Sequence, residues 1–362
     1  MITIFRERTN QMNRQDIEKL LLKVAHNMTE IKNSAMDESC PIGIIDFSNW
    51  EWAQGLGLYG LYRYAENFGD KAMLGSLFDW FDTNIKKGIP EKNVNTTTPM
   101  LTLAFLYEKS RREDYLELIK EWSEWIMTHM PRTEHGGLQH IVSGMANDGQ
   151  LWDDTLFMTV LFLAKAGTIL NRQEYVDEAV YQFLLHIKYL ADKKSGLWYH
   201  GWTFAENHNF ANAFWARGNC WITAGIPEFL EISKIDGSIK RFLLDTLSAQ
   251  VKTLAEYQER NGMWHTLIDD KTSYTETSAT SGFGYGILKS VRLGYIGKSF
   301  KKTGINALKA TIENIRDDGT VENVSYGTGM GKTLEDYREI PLCPMAYGNA
   351  LAILILNEGL YL

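Results

Sequence analysis

Proline is scarce in this chain, seven among 362 residues, and cysteine is scarcer at three. Few prolines leave long helices uninterrupted. The cysteines, Cys40, Cys220 and Cys343, are odd in number and lack metal-binding spacing, as expected of reduced thiols inside a cell. There is no HExxH and no CxxC, so no metal or other cofactor is indicated. No apolar run reaches about 18 residues, which excludes a membrane-spanning helix. The start, Met1-Ile-Thr-Ile-Phe-Arg-Glu-Arg8, lacks the apolar core of a secretory leader, and a cytoplasmic protein is expected. Positive charge is also lacking. The net charge of −8 argues against nonspecific nucleic-acid binding. It leaves a small acidic ligand open, because one local arginine outweighs a distant, diffuse charge.

What is present is helix. Hydrophobic residues make up 44% of the chain, enough for a substantial core, and two kinds of helical pattern alternate. One kind is amphipathic, as in Tyr115, Ile119, Trp122 and Ile126 set among Glu113, Asp114, Glu117, Lys120 and Glu124. Such one-faced helices lie on an exterior, whereas segments apolar on nearly all sides, such as 151–167 and 347–357, are enclosed. Enclosed helices are expected near 50–66, 97–109, 152–168, 214–232, 275–293 and 345–358. Exposed ones are expected near 15–33, 70–87, 112–129, 172–190, 238–257 and 298–315, with the first serving as outer partner of the last enclosed helix. Strict alternation at a 45–70-residue period implies an all-α (α/α)6 barrel, formed as one catalytic domain over 1–362. An open helical solenoid would need shorter, more regular repeats.

In a closed ring all inner helices run the same way, and their N-termini meet at one rim. Trp50, Trp52, Asn95, Trp152, Asp153, Asp154, Trp215, Arg217, Tyr274, Glu276, Arg338 and Tyr347 fall there. Two segments stand out, Gln150-Leu-Trp-Asp-Asp-Thr-Leu-Phe-Met158 and Phe214-Trp-Ala-Arg-Gly-Asn-Cys-Trp221. Each sets a Trp two residues from an ionisable group at the start of an apolar helix, where an unpaired charge is costly. Indole faces stack on sugar rings, Arg forks onto carboxylates and Asp moves protons. The combination suits an enzyme for an acidic sugar.

Each feature also has a plainer explanation. Capping accounts for one of the two aspartates, and Asp153 is the natural helix-start residue. A structural salt bridge would account for Arg217. His140 and His200 could be satisfied structural histidines, and Trp198 and Trp202 could belong to the core or to a sugar-stacking loop. Gly55-Leu-Gly-Leu-Tyr-Gly60 matches GxGxxG but follows no strand, so its small residues serve close helix packing. Gly327-Thr-Gly-Met-Gly-Lys-Thr333 is one residue short of a phosphate loop and reads as a mobile loop over the mouth, with Lys332 as a carboxylate contact. Asp153-Asp154 begins a DDxxD pattern that Phe157 breaks.

The set LWDDTLFM, FWARGNCW, SYTETSAT with GYGILKSVRLGY, and VSYGTGMGK…DYREIPLCPMAYG resembles glycoside hydrolase family 105, from about Trp50 to the C-terminus. These are unsaturated rhamnogalacturonyl hydrolases, related to unsaturated glucuronyl hydrolases. The resemblance implies an (α/α)6 barrel that releases a Δ4,5-unsaturated uronic acid from the non-reducing end of small pectin fragments. It assigns the acid/base role to Asp154 and substrate contacts to His140, Trp152, His200, Trp215, Arg217 and Trp221. An acidic position in many relatives falls on Asn95, which hydrogen-bonds but cannot ionise. Lys332 or Arg338 is expected to assist Arg217 at the substrate carboxylate. The implied chemistry protonates C4 and adds water at C5. The rival readings are glucuronyl substrates, a sugar epimerase with two histidines facing across the mouth, and a non-catalytic scaffold. Linkage, aglycone and oligomeric state are not encoded in any visible motif.

Overall fold

The computed structural model describes residues 13–31 and 46–362; Cys40 and the first eight residues lie outside them. The helices are α1 Arg14–Glu30, α2 Trp52–Phe68, α3 Lys71–Lys87, α4 Val94–Ser110 and α5 Glu113–Thr128. A single π-helical turn, Leu156–Val160, leads into α6 Leu161–Leu170 and is followed by α7 Gln173–Leu190, α8 Ala216–Ser233 and α9 Gly237–Tyr257. Then come α10 Thr277–Arg292, α11 Lys301–Glu313, the one-turn α12 Glu335–Arg338 and α13 Ala346–Gly359. Apart from α12, these are the twelve helices expected, in the expected alternation.

The ring closes. Neighbours α2, α4, α6, α8, α10 and α13 pack in that order, and α13 packs back on α2. Outside them α3, α5, α7, α9 and α11 each cover the inner helix that precedes them, while α1 covers α13. The barrel is (α/α)6, and one continuous apolar core runs from Ile17 to Leu360. No helix among the described residues is long and apolar enough to cross a membrane.

Small residues let the inner ring tighten. A Cβ on Gly55 would stand 2.5 Å from the Pro99 nitrogen of α4, one on Gly57 2.6 Å from Met28 of α1, and one on Gly60 2.9 Å from Ile353 of α13. The GxGxxG string is therefore three packing contacts on one helix. Pro99 sits inside α4, whose start is secured by a reciprocal cap between Asn93 and Thr96. Toward the C-terminal ends of the inner helices, Glu228 of α8 accepts hydrogen bonds from Tyr59, Tyr285 and Lys289, and Lys289 also meets Glu231 at 2.7 Å. Lys289 and Glu228 are wholly buried. Burial pushes the Glu228 carboxyl up, but the charges of Lys289 and Arg63 prevail and hold it at about 2.

Among the described residues, strand is confined to two short antiparallel ribbons, β1 Gln150–Trp152 with β2 Gly201–Thr203, and β3 Trp264–His265 with β4 Thr275–Glu276. Both sit where inner helices begin.

Candidate active site

The rim is built around the first ribbon. Trp152 pairs with Gly201 in the β1–β2 register, and the Asp153 N–H donates to the His200 carbonyl at 3.0 Å. This pairing draws two histidines around one indole. His140 stacks flat on Trp152 at 4.2 Å between ring centres, while His200 lies edge-on to it at 5.2 Å. The chain then turns into its helix at Asp154 through the π turn, a local departure often found at functional sites.

Asp154 is the carboxyl that opens outward, with 17% of its side chain exposed. Its Oδ2 lies 3.3 Å from His200 Nε2, and His200 Nδ1 is fixed at 2.7 Å by the Tyr337 hydroxyl. His140 Nδ1 is fixed likewise at 2.8 Å by Thr155. Burial raises the Asp154 carboxyl, but the hydrogen bond and charge of His200 outweigh it and hold the group below the usual carboxylate range. His140, wholly enclosed, is pushed down to about 4 by desolvation and is neutral near pH 7. Asp153 is different. It is fully buried behind Asp154, its side chain caps nothing, and burial followed by the Asp154 charge raises it far above the carboxylate range.

A cavity of about 550 Å³, open mouth included, lies over this group. Asn95, His140, Trp152, Asp154, Trp215 and Arg217 wall it, as expected, together with Trp52. Val142, Met145 and Met158 also line it, as do Thr328 and Gly329. The last two belong to the glycine-rich segment, which therefore does reach the mouth. Among the described residues, Asp154 is the one carboxyl on the wall. The ligating atoms of Asp153, Asp154 and His200 lie within 4.8 Å of one another, a spacing among the described residues that could hold a cation.

Arg217 does more than face the cavity. It is almost wholly buried, sandwiched between the rings of Trp215 and Tyr347. Its guanidinium donates to the carbonyls of Ser325 and Tyr326 at 2.9 and 3.1 Å and to the Thr328 hydroxyl at 2.9 Å. Glu276, which caps α10, accepts the Ser325 N–H at 2.9 Å from the other side. The fork expected for a ligand carboxylate thus holds the segment that carries Thr328 and Gly329.

Several expected residues sit elsewhere. Lys332 is exposed and off the wall, its backbone N–H bound to Asp336 at 2.7 Å. Arg338 is paired with Asp270 at 2.8 Å and with Glu335, and also leaves the wall. Trp221 lies one turn down α8, edge-on to Trp52 at 6.2 Å, and supports the wall from behind. Trp50 donates to the Thr96 carbonyl at 2.8 Å and stacks with Trp80 in the core. Trp198 is core, and Trp202 packs on Tyr189 and Phe204 away from the cavity. Two residues the motifs did not single out matter here. Tyr337 orients His200, and Glu51 hydrogen-bonds Asn95 while burial lifts its carboxyl to about 7. The acid between Trp50 and Trp52 was the available signal for Glu51.

The model for Glycosyl Hydrolase Family 88 matches residues 24–362. The chain belongs to that family. It is 29% identical over 319 residues to the unsaturated rhamnogalacturonyl hydrolase YesR of Bacillus subtilis (strain 168), covering 87% of this chain and 91% of that one. A crystal structure from Salmonella enterica serovar Paratyphi A, described as a possible member of family GH105, superposes with a TM-score of 0.93 at 46% identity. It covers 97% of this chain and 95% of its own. A similar structure from Klebsiella pneumoniae gives 0.93 at 45% identity, with 97% and 94% covered. The resemblance to family 105 is borne out by these neighbours, and this family 88 chain is a glycoside hydrolase. The unsaturated glucuronyl hydrolase of Bacillus sp. GL1 shares the fold, with a TM-score of 0.72 at 16% identity over 95% of this chain and 96% of that one.

Proposed function

We propose that this hydrolase removes a Δ4,5-unsaturated uronic acid from the non-reducing end of small rhamnogalacturonan fragments by hydrating the double bond. The observation that carries the reading is the lone carboxyl on the cavity wall. An ordinary glycosidase sets two carboxyls across the scissile bond, about 5–9.5 Å apart. An unsaturated uronate needs only one, because its enol ether is conjugated to the carboxylate and is reactive at C4 and C5. In this reading Asp154 delivers a proton to C4 and takes one from the water that bonds to C5. The hemiketal so formed opens and frees the neighbouring sugar. Trp52, Trp152 and Trp215 offer indole surface to the ring, and Asn95 offers amide hydrogen bonds. Arg217 draws the substrate's carboxylate by charge while it keeps Thr328 and Gly329 at the wall.

The epimerase alternative is disfavoured by the histidines, which flank the same indole rather than face each other across the mouth. The similarity to YesR favours rhamnogalacturonyl over glucuronyl substrates. The free thiols of Cys220 and Cys343 suit a cytoplasmic enzyme.

The test is loss of enoate absorbance with unsaturated rhamnogalacturonyl and glucuronyl disaccharides. The first should be consumed faster. Asp154→Asn, nearly isosteric, should fold and lose at least about 10²–10⁴-fold in kcat. Heavy water should leave deuterium at C4, and labelled water should place its oxygen at C5. Label at the anomeric carbon, or full activity in the variant, would overturn the mechanism.

A further inference from the structure

Asp153 has no place to put a charge. Neither of its carboxyl oxygens has a hydrogen-bond partner of normal geometry, although the side chain is completely enclosed. It is wedged against α8 at Gly218, where a Cβ would stand 2.4 Å from Oδ2. Among the described residues its close acidic neighbour is Asp154, and like charge at that distance disfavours a resting state in which both are ionised. The other ionisable groups around it are His200 on the ribbon, Arg217 and Cys220 on α8, and Tyr337; His140 acts on the pair through Asp154. None of them hydrogen-bonds its oxygens.

There is also a chemical gap to fill. Hydration needs a proton on Asp154, yet His200 favours the carboxylate there. We propose that Asp153 is a positioning residue that carries a proton and shares it with Asp154, so that the pair, rather than Asp154 alone, is the acid of the reaction. This deepens the hydration reading and rests on it.

The step balances within the pair. One proton lies between the two carboxyls at rest. It passes to Asp154 and from there to C4: the Asp154 O–H bond breaks, and the π electrons of the C4–C5 bond form C4–H. His200 stands beside the two carboxylates that remain. Water then bonds to C5 and gives its proton to Asp154, which restores the pair. One water has been added to the substrate and the protein is unchanged.

Asp153→Asn tests this. The amide can still donate a hydrogen bond to Asp154 but cannot supply a proton. Expected are a kcat loss of about 10²-fold or more with little change in KM, and a changed pH profile. The wild type should show a bell whose two limbs belong to the pair. The variant should show a single limb, with activity rising toward acid as Asp154 itself takes up the proton. Infrared difference spectra of the full-length wild type at pH 7, without substrate, should contain the carbonyl band of a buried protonated carboxylic acid, which Asp153→Asn should lose and Glu51→Gln, removing the other carboxyl lifted by burial, should keep. A wild-type pH profile in the variant, or no such band in the wild type, would overturn the proposal. A variant that only lowers the melting temperature, with kcat and profile intact, would also overturn it. If the enzyme does not consume unsaturated disaccharides, the hydration reading fails, and the infrared band still decides whether the proton is shared.

Discussion

Lys289→Met removes one half of the ion pair buried between α8 and α10. Glu228 keeps two phenol donors, Tyr59 and Tyr285, but loses the ammonium that contributes most to holding its charge. The magnitude can be approached in two ways. A carboxyl held at about 2 rather than 4.5 reflects roughly 3 kcal/mol of preference for the charged form. Breaking a buried pair by deleting one partner typically costs about 3–5 kcal/mol. The two agree, and either is a large share of a total stability of about 5–15 kcal/mol. Urea unfolding at pH 7 should therefore show a lower midpoint, with the melting temperature down by roughly 5–10 °C. Since the folded carboxyl is depressed, this stabilisation is fully present above about 4.5 and is lost as pH falls toward 2 in the wild type. Lys289→Met with Glu228→Gln should recover more than half of the loss, because no charge is then stranded. The pair lies toward the far ends of the inner helices, so kcat at a permissive temperature should hold. A single variant as stable as wild type, or a double variant no better than the single, would refute the reasoning.

Arg217→Lys keeps the charge but can replace only part of the fork on Ser325, Tyr326 and Thr328. One lost charged hydrogen bond is worth about 1.5–3 kcal/mol, so kcat/KM should fall at least tenfold and the 325–330 segment should be cut faster by protease; unchanged kinetics would remove Arg217 from the site. Gly55→Ala pushes a methyl into the α4 backbone at Pro99. Overpacking of that kind costs about 1–3 kcal/mol, and because α2 carries Trp52 and α4 carries Asn95, KM should rise with the loss of stability. His140 and His186 are both lowered to about 4 by burial. An unfolded histidine takes its proton near 6.5, so between about 6.5 and 4 the unfolded chain binds more protons and stability should fall as pH drops. Unfolding midpoints that are flat across that window would contradict this.

The barrel could be read because its determinants are local. Whether a helix is apolar on one side or on all sides is written within 17 residues, and the alternation of the two kinds orders the ring. The site was legible where one segment carries both wall and chemistry, as in Trp152 with Asp154. It was not legible where partners are distant. Gln150–Trp152 was expected to lead into a helix, but it pairs with Gly201–Thr203, and no local pattern announces that register. The Arg217 fork meets Ser325, 108 residues away, so its partners could not be inferred from its neighbours. Lys332 looked like a ligand contact because it ends a glycine run, yet the wall uses Thr328 and Gly329 from that run. A position before a helix suits Asp153 to capping, but burial against Gly218 gives it a different character.

The ring is closed by its earliest and latest described long helices. Ile17, Leu21, Val24 and Met28 of α1 are buried, and Asn349 of α13 donates to Asn27 at 3.0 Å across 322 residues of sequence. During synthesis at about 5–20 residues per second, the apolar stripe of α1 emerges tens of seconds before the surface made to receive it. Until then five hairpins can form an open arc whose two edges are both sticky, and the arc can meet a second nascent arc as easily as its own last helix. Yield from this barrel should therefore depend on the crowding of ribosomes along the message and on chaperones that shield the first helix, more than on the stability of the finished ring.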